Sequence, residues 1–142
     1  MNAILDSALK QYRTVGIQSG IADASSHRLI EMLMEGALEK IAFAKGNIER
    51  GEIAEKGLNT SFAISIIDGL RTSLDMDGGG EIAQNLEALY EYMVRSLVEA
   101  NSHNDVAKLD EVANVLGSVK SAWDAIPDEY RNVGSRHSGA NS

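Results

Sequence analysis

The chain has 142 residues, 13 basic against 21 acidic side chains, a formal net charge of −8 and a pI near 4.8. Since phosphate contacts require a concentrated Lys/Arg face, which the sequence lacks, we expect no nucleic-acid binding. The absence of cysteine excludes disulfides, thiol catalysis and thiolate metal sites. One proline and 5% aromatic residues are typical of a helical bundle. We therefore expect one all-α domain.

The hydropathy pattern argues against membrane insertion. No apolar run approaches the roughly 20 residues that span a bilayer. The N-terminal sequence MNAILDSALKQY also lacks the basic start and cleavage site of a signal peptide. A cytoplasmic location is the expectation that follows.

Residues 1–24 are predicted to form an N-terminal arm. Apolar side chains recur on one side of residues 3–13, among them Leu9 and Tyr12, and the glycine- and serine-punctuated stretch VGIQSGIADASS follows. This pattern indicates a short helix and a connector. The helix could be a displaceable cap or a permanent fifth helix of the bundle.

Apolar spacing of three and four residues predicts four long helices after this arm. They are expected at about 27–50, 53–75 and 81–101, and from a cap at Asn104 or Asp105 to Pro127. Ser25 or Ser26 is expected to be the N-cap of the first helix, and Gly51 is expected to end that helix. The third helix has an apolar row whose members are Ile82, Leu86, Leu89, Met93, Leu97 and Ala100, widened by Tyr90, Val94 and Val98. Short links make residues 25–127 an antiparallel four-helix bundle. Residues 128–142 have little to bury and are interpreted as a disordered tail.

The helix at 53–75 carries more apolar surface than one packing face needs. Its broad arc consists of Phe62, Ala63, Ile66, Ile67, Leu70 and Leu74, while Ile64 falls outside the arc beside Asp68 and Arg71. A stripe of small residues, Gly57, Ser61, Ser65, Gly69 and Ser73, repeats every four positions. This stripe indicates close approach by another helix, either a partner's or one of the bundle's own.

The residue types needed for catalysis or metal binding are not arranged in recognisable motifs. The Glu-x-x-His spacing of bundle metal sites does not occur, and the Glu99–His103 pairing falls at a helix end, where we expect a solvated surface histidine. His27 at a helix start and His137 in the tail belong to no cluster. The DMDGGGE segment lacks the later acidic ligands of a calcium loop and is interpreted as a turn between helices. We expect no enzyme, no metal and no cofactor.

Four stretches of the sequence resemble the flagellar secretion chaperones of the FliS type. They are LKQYRTVGIQSGI (9–21), SSHRLIEMLMEGAL (25–38), AISIIDGLRTSLDMDGGGEIAQNLEALYEYM (63–93) and LVEANSHNDVAKLDEV (97–112), in the order and spacing of the family. The final helix with Trp123 also agrees. Ser26 stands where the family commonly has proline, and Met34 where it has an aromatic residue; both departures bear on partner affinity.

The resemblance implies a cytoplasmic export chaperone. Such a protein binds the disordered C-terminal segment of flagellin, which folds into helices on an outer apolar surface, prevents premature polymerisation and delivers the client to an export platform protein. It also implies that the N-terminal segment, at Leu9 and Tyr12, covers part of the client groove when the groove is empty.

The candidate partner-binding residues lie on the arm and on three of the helices. Besides Leu9 and Tyr12 they are Ile30, Met34, Leu38, Ile64, Ile67 and Tyr92. For Ile30, Leu38 and Ile67 the alternative is a place in the core, whereas Ile64 has charged neighbours and Tyr92 lies toward the polar side. The alternative functions are a ligand- or metal-binding bundle, including an enzymatic one, and a self-assembling structural bundle; weak self-association is a further expectation.

Overall fold

The computed structural model describes residues 25–127 of the chain. The predicted N-terminal helix and cap, and the predicted tail, lie outside the described residues. Within the described range the chain forms four α-helices: α1 (Ser26–Glu49), α2 (Ile53–Thr72), α3 (Met76–His103) and α4 (Val106–Asp124). The expectation of an all-α bundle is confirmed.

The helices form an antiparallel ring. Each helix packs against the next one in the chain, and α4 closes the ring by packing against α1. The connections are two or three residues long, which forces neighbouring helices to run in opposite directions. The buried core draws side chains from all four helices: Leu33, Met34, Ala37, Ile41, Ala44, Ala63, Ile66, Ile67, Leu70, Tyr90, Met93, Leu97, Ala100, Leu109, Val112 and Leu116.

Side-chain caps set where the helices begin. Ser25 Oγ accepts the backbone N–H of Arg28 at 3.1 Å, so Ser25 rather than Ser26 is the first N-cap. Asp105 caps α4 by accepting the N–H of Lys108 at 3.1 Å. Asn104 instead ends α3 in the left-handed conformation, with φ of 51°. The two alternatives that the sequence left open are thereby resolved in favour of Ser25 and Asp105.

The start of α3 differs from the predicted start at residue 81. Asp75 accepts the N–H of Gly78 through Oδ1 at 2.8 Å and caps one helical turn that the sequence assigned to a loop. Gly80 then interrupts the helix with φ of 55° and ψ of −132°, a backbone conformation open only to glycine. A Cβ on Gly79 would lie 2.6 Å from the Cβ of Ala83. This glycine run therefore builds a kinked helix start.

Polar side chains connect α1 to α2 at the end of the bundle where α1 turns into α2, which we call the lower end. Asn47 Nδ2 donates to Glu52 Oε1 at 2.8 Å, and Asn59 Nδ2 donates to Asn47 Oδ1 at 2.7 Å. Arg50 Nε donates to the same Glu52 oxygen at 2.9 Å. Gly51 completes the turn with φ of 72°. These bonds hold the first two helices as a hairpin.

No helix among residues 25–127 combines the length and the apolar character that crossing a membrane requires.

Candidate partner-binding surface

The first half of α3 presents large apolar side chains to solvent. Ile82 is 73% exposed and Leu89 is 38% exposed, whereas Met93 and Leu97 further along the same row are fully buried. Ile82 and Leu89 therefore lie outside the core, although they belong to the apolar row read from the sequence. The residue that follows each of them is buried, Ala83 at 4% and Tyr90 at 3%, so α3 is covered at both levels. Ile82 and Leu89 are exposed because they lie on the flank of the packed face, about 100° around the helix from these buried neighbours.

We call Ile82, Leu86 and Leu89 the α3 stripe. Ile82 and Leu89 are seven residues apart and lie on one side of the helix, with Leu86 between them. Leu86 is partly buried against the core. The stripe is thus a continuation of the core row onto the surface, and it offers the a/d-type spacing that a second amphipathic helix would match.

Val98 is also exposed, at 53%, although the sequence predicted that it widens the buried face of its helix. On the helical wheel it lies 160° from Ile82, so it does not extend the α3 stripe. Tyr90, which also widens the row read from the sequence, is buried, and burial raises the pKa of its hydroxyl to about 12. Tyr90 is therefore neutral at physiological pH.

The structure separates the predicted partner-binding residues into three groups. Met34 and Ile67 are buried in the core. Ile30, Leu38 and Ile64 are partly buried and packed against it, and Tyr92 is half-buried on α3. Leu9 and Tyr12 lie outside the described residues. The placement of Ile67 matches the core alternative that the sequence left open; a partner contact by any of these residues stays a prediction.

Asp68 and Arg71, the charged neighbours of Ile64 on the helical wheel, form an ion pair with each other. Arg71 donates to Asp68 Oδ1 at 3.0 Å through Nε and at 2.9 Å through Nη2. Its Nη1 also lies 3.9 Å from Glu87 Oε2 on α3. The group bridges α2 and α3, and the ion pair between Asp68 and Arg71 leaves the surface beside Ile64 less polar than the sequence suggests.

The stripe of small residues on α2 has two different environments. Gly69 is buried, so the bundle itself uses the close approach that the sequence predicted at this point. Ser61 and Ser65 are exposed, and a Cβ on Gly57 would meet no neighbouring atom within 4 Å. Intramolecular packing therefore explains the stripe at Gly69 alone, and residues 25–127 leave Ser61, Ser65 and Ser73 exposed.

Among residues 25–127, no three His, Asp or Glu side chains are grouped closely enough to hold a metal ion. His103 is exposed, as expected, and its Nδ1 lies 3.0 Å from the carbonyl oxygen of Glu99. His27, which the sequence assigned to no cluster, is instead buried beside Trp123. The surface of residues 25–127 therefore presents exposed apolar side chains but no group of three possible metal ligands.

Sequence reasoning missed the exposed members of the α3 stripe as binding residues because periodicity alone does not show which side of a broad apolar face meets the neighbouring helices. It also missed Phe43 and Leu58, which are 48% and 73% exposed. The width of the apolar face on α3 was the one available signal, and width does not show which side of the face stays exposed.

Comparison of the sequence with known proteins assigns this chain to a family. The model of the flagellar protein FliS family matches residues 8–130. The chain is 54% identical over 119 residues to the flagellar secretion chaperone FliSB of Pseudomonas aeruginosa, covering 84% of this chain and 94% of that one. It is 41% identical over 126 residues to the flagellar secretion chaperone FliS of Vibrio cholerae (89% and 93% covered) and 44% identical over 121 residues to that of Salmonella typhimurium (84% and 90% covered). The chain belongs to the FliS family of flagellar secretion chaperones.

Proposed function

We propose that the protein binds the C-terminal segment of flagellin in the cytoplasm, keeps flagellin from polymerising prematurely, and delivers it to a protein of the export platform. It does so as a binding protein, without catalysis and without a cofactor. Membership of the FliS family supports the general role. The observation that carries the proposal is the α3 stripe, where Ile82 and Leu89 lie exposed two helical turns apart.

The stripe suits an amphipathic helix that folds as it binds. A disordered segment loses conformational entropy when it becomes helical, and burial of apolar surface on both partners must offset that loss. Each Å² of apolar surface removed from water contributes about 25 cal/mol. Large aliphatic side chains with high exposure, such as Ile82, are the ones that gain most from being covered.

Burial also explains how binding would block polymerisation. A client segment whose apolar face lies on the chaperone cannot present that face to another client molecule. Release of the client at the export platform then requires another protein that competes for the client or for the chaperone. The apolar contacts themselves include no ligand that could dissociate and no bond that could be cleaved. We therefore expect a one-to-one complex that forms and dissociates reversibly.

The proposal is tested by isothermal calorimetry and size-exclusion light scattering with the cognate flagellin, intact and without its C-terminal few dozen residues. We expect one-to-one binding to the intact form only. Ile82→Asp and Leu89→Asp should weaken binding by about a hundredfold in combination, since each places a charge in the contact. Ala88→Asp, at an exposed position about 100–120° around α3 from Leu89 and Ile82, is the matched control and should bind like the original protein.

Two outcomes would contradict the proposal. Equal binding of both flagellin forms would place the contact outside the C-terminal segment. Failure of the unmodified protein to bind intact flagellin would leave a FliS-family bundle with a different partner. Circular dichroism of each variant establishes that the helices are intact before its affinity is interpreted.

A further inference from the structure

A second apolar surface lies on the seam between α1 and α2, away from the α3 stripe. Phe43 of α1 is 48% exposed, and Phe62 of α2 is partly buried against the core. Leu58 precedes Phe62 by one helical turn on the same side of α2 and is 73% exposed. Phe62, a member of the broad apolar arc read from the sequence, is thus partly buried and also reaches the surface.

A lysine side chain connects the two rings of this surface. The Nζ of Lys40 lies 5.5 Å from the centroid of the Phe43 ring and 4.9 Å from that of the Phe62 ring. Both distances are within the range of a cation–π interaction. We call Lys40, Phe43, Leu58 and Phe62 the aromatic–lysine patch.

Lys40 differs from most of the other cations in residues 25–127. Lys45, Lys108 and Lys120 each lie within 3.1 Å of a carboxylate oxygen. Lys40 has no carboxylate within ion-pair distance among the described residues, although acidic side chains outnumber basic ones in the chain. The patch therefore combines exposed apolar area with a positive charge that is not neutralised by an anion.

We propose that the aromatic–lysine patch is a second docking site for the flagellin client, and that it takes an amphipathic helical turn whose aliphatic side chains cover Phe43 and Leu58 and whose Asp or Glu carboxylate reaches Lys40. This inference rests on the proposed function, since it assigns a further contact of the same client. Charge complementarity selects the occupant: a purely aliphatic helix would bury the ammonium without a counter-ion, and a basic one would repel it.

The arrangement gives specificity in addition to contact area. Covering the rings removes water from around Lys40, which strengthens its attraction to a carboxylate and increases the cost of leaving it unpaired. A client segment without an acid at this position is thereby disfavoured. The ammonium lies over both phenyl rings, so a partner's carboxylate meets a charge that the protein already positions.

The test measures affinity for intact flagellin in Lys40→Met, which removes the charge, and in Lys40→Arg, which keeps it. Arg95→Met is the matched control, because Arg95 is an exposed cation with no carboxylate within ion-pair distance among residues 25–127 and no place in the patch. We expect Lys40→Met to weaken binding about tenfold, and Lys40→Arg and Arg95→Met to stay within about twofold of the original protein. The salt dependence of binding should also decrease in Lys40→Met alone.

A charge swap identifies the client residue. Each Asp and Glu of the C-terminal segment of flagellin is changed to Lys in turn, and one of these changes should restore affinity for Lys40→Glu. Unchanged affinity of Lys40→Met for flagellin overturns this inference. The proposed function stays intact in that case if the unmodified protein binds flagellin and the Ile82→Asp, Leu89→Asp variant does not. A tenfold loss with no rescuing swap overturns the client carboxylate as the partner of Lys40.

Discussion

The side chains of His27 and Trp123 each form a hydrogen bond with the other residue's backbone, at the end of the bundle opposite the α1–α2 turn, which we call the upper end. The Nε2 of His27 donates to the carbonyl oxygen of Trp123 at 2.8 Å, and the indole Nε1 donates to the carbonyl oxygen of His27 at 3.0 Å. Their rings stack with centroids 4.8 Å apart and an interplanar angle of 7°. Because a carbonyl oxygen can only accept, Nε2 must carry a proton. The pair joins the first turn of α1 to the last turn of α4.

Replacing Trp123 by Phe should lower the free energy of unfolding by about 1–2 kcal/mol, from one lost hydrogen bond and some lost packing area. Urea denaturation followed by circular dichroism measures this loss, since the variant has no tryptophan for fluorescence. A ring that still stacks on His27 should preserve the helical content. No change in the denaturation midpoint would show that the hydrogen bond from the indole Nε1 to the carbonyl oxygen of His27 contributes nothing to stability.

Lys56 has a comparable role at the lower end. Its side chain is 6% exposed, and its Nζ donates to the carbonyl oxygen of Asn101 and to Oδ1 of Asn104, both at 2.7 Å. A cation at the end of α3 also complements the negative end of the helix dipole. The ammonium thus connects the start of α2 to the end of α3.

Lys56→Met should destabilise the bundle by about 1.5–3 kcal/mol, because two charge-assisted hydrogen bonds are lost and the carbonyl of Asn101 loses its donor. Lys108→Met is the matched control: Lys108 pairs with Glu99 on the surface, where such a bridge contributes about 0–1 kcal/mol. Equal effects of the two substitutions, measured by urea denaturation, would contradict the capping role of Lys56.

Two glycines should respond in opposite directions to alanine. Gly80 has φ of 55°, which strains any residue with a Cβ, so Gly80→Ala should destabilise the protein by about 1–2 kcal/mol. Gly57 lies inside α2 with open space around its Cβ position, so Gly57→Ala should stabilise it by about 0.5–1 kcal/mol. Thermal unfolding of both variants measures the signs, and a stabilising Gly80→Ala would show that the kink is not required.

The sequence predicted the elements of this fold better than it predicted their surfaces. Apolar periodicity located four helices, and two of the proposed caps, Ser25 and Asp105, are used. It could not show that Ile82 is exposed while Ala83 beside it is buried, because periodicity does not show which side of a broad apolar face meets the neighbouring helices. The burial of His27 could not be predicted either, since its partner is 96 residues away in the chain.

The contrast between Ile67 and Ile82 gives a direct test of which residues are core. Ile67 is fully buried, so Ile67→Ala should cost about 2–4 kcal/mol through lost burial and the cavity that remains. Ile82 is mostly exposed, so Ile82→Ala should change stability by less than about 0.5 kcal/mol. Guanidinium denaturation of the two variants separates them. A large loss of stability in Ile82→Ala would mean that its side chain is covered within the free protein.

The turn between α1 and α2 should make stability depend on pH in the acid range. Hydrogen bonds from Asn47 and Arg50 lower the pKa of Glu52 below its usual value in the folded protein. A carboxyl whose folded pKa is depressed stabilises the fold above its unfolded pKa of about 4.3, and that contribution disappears as pH falls through the folded pKa.

The Glu52→Gln variant tests this dependence, because the amide cannot titrate. At neutral pH it should be less stable than the original protein, and the difference should shrink as the pH decreases from about 5 to about 3. Urea denaturation at a series of pH values measures both curves. A second variant, Glu55→Gln, changes an exposed acid on the first turn of α2 and serves as the control. If both variants run parallel to the original protein over this range, the hydrogen bonds to Glu52 do not favour its ionised form.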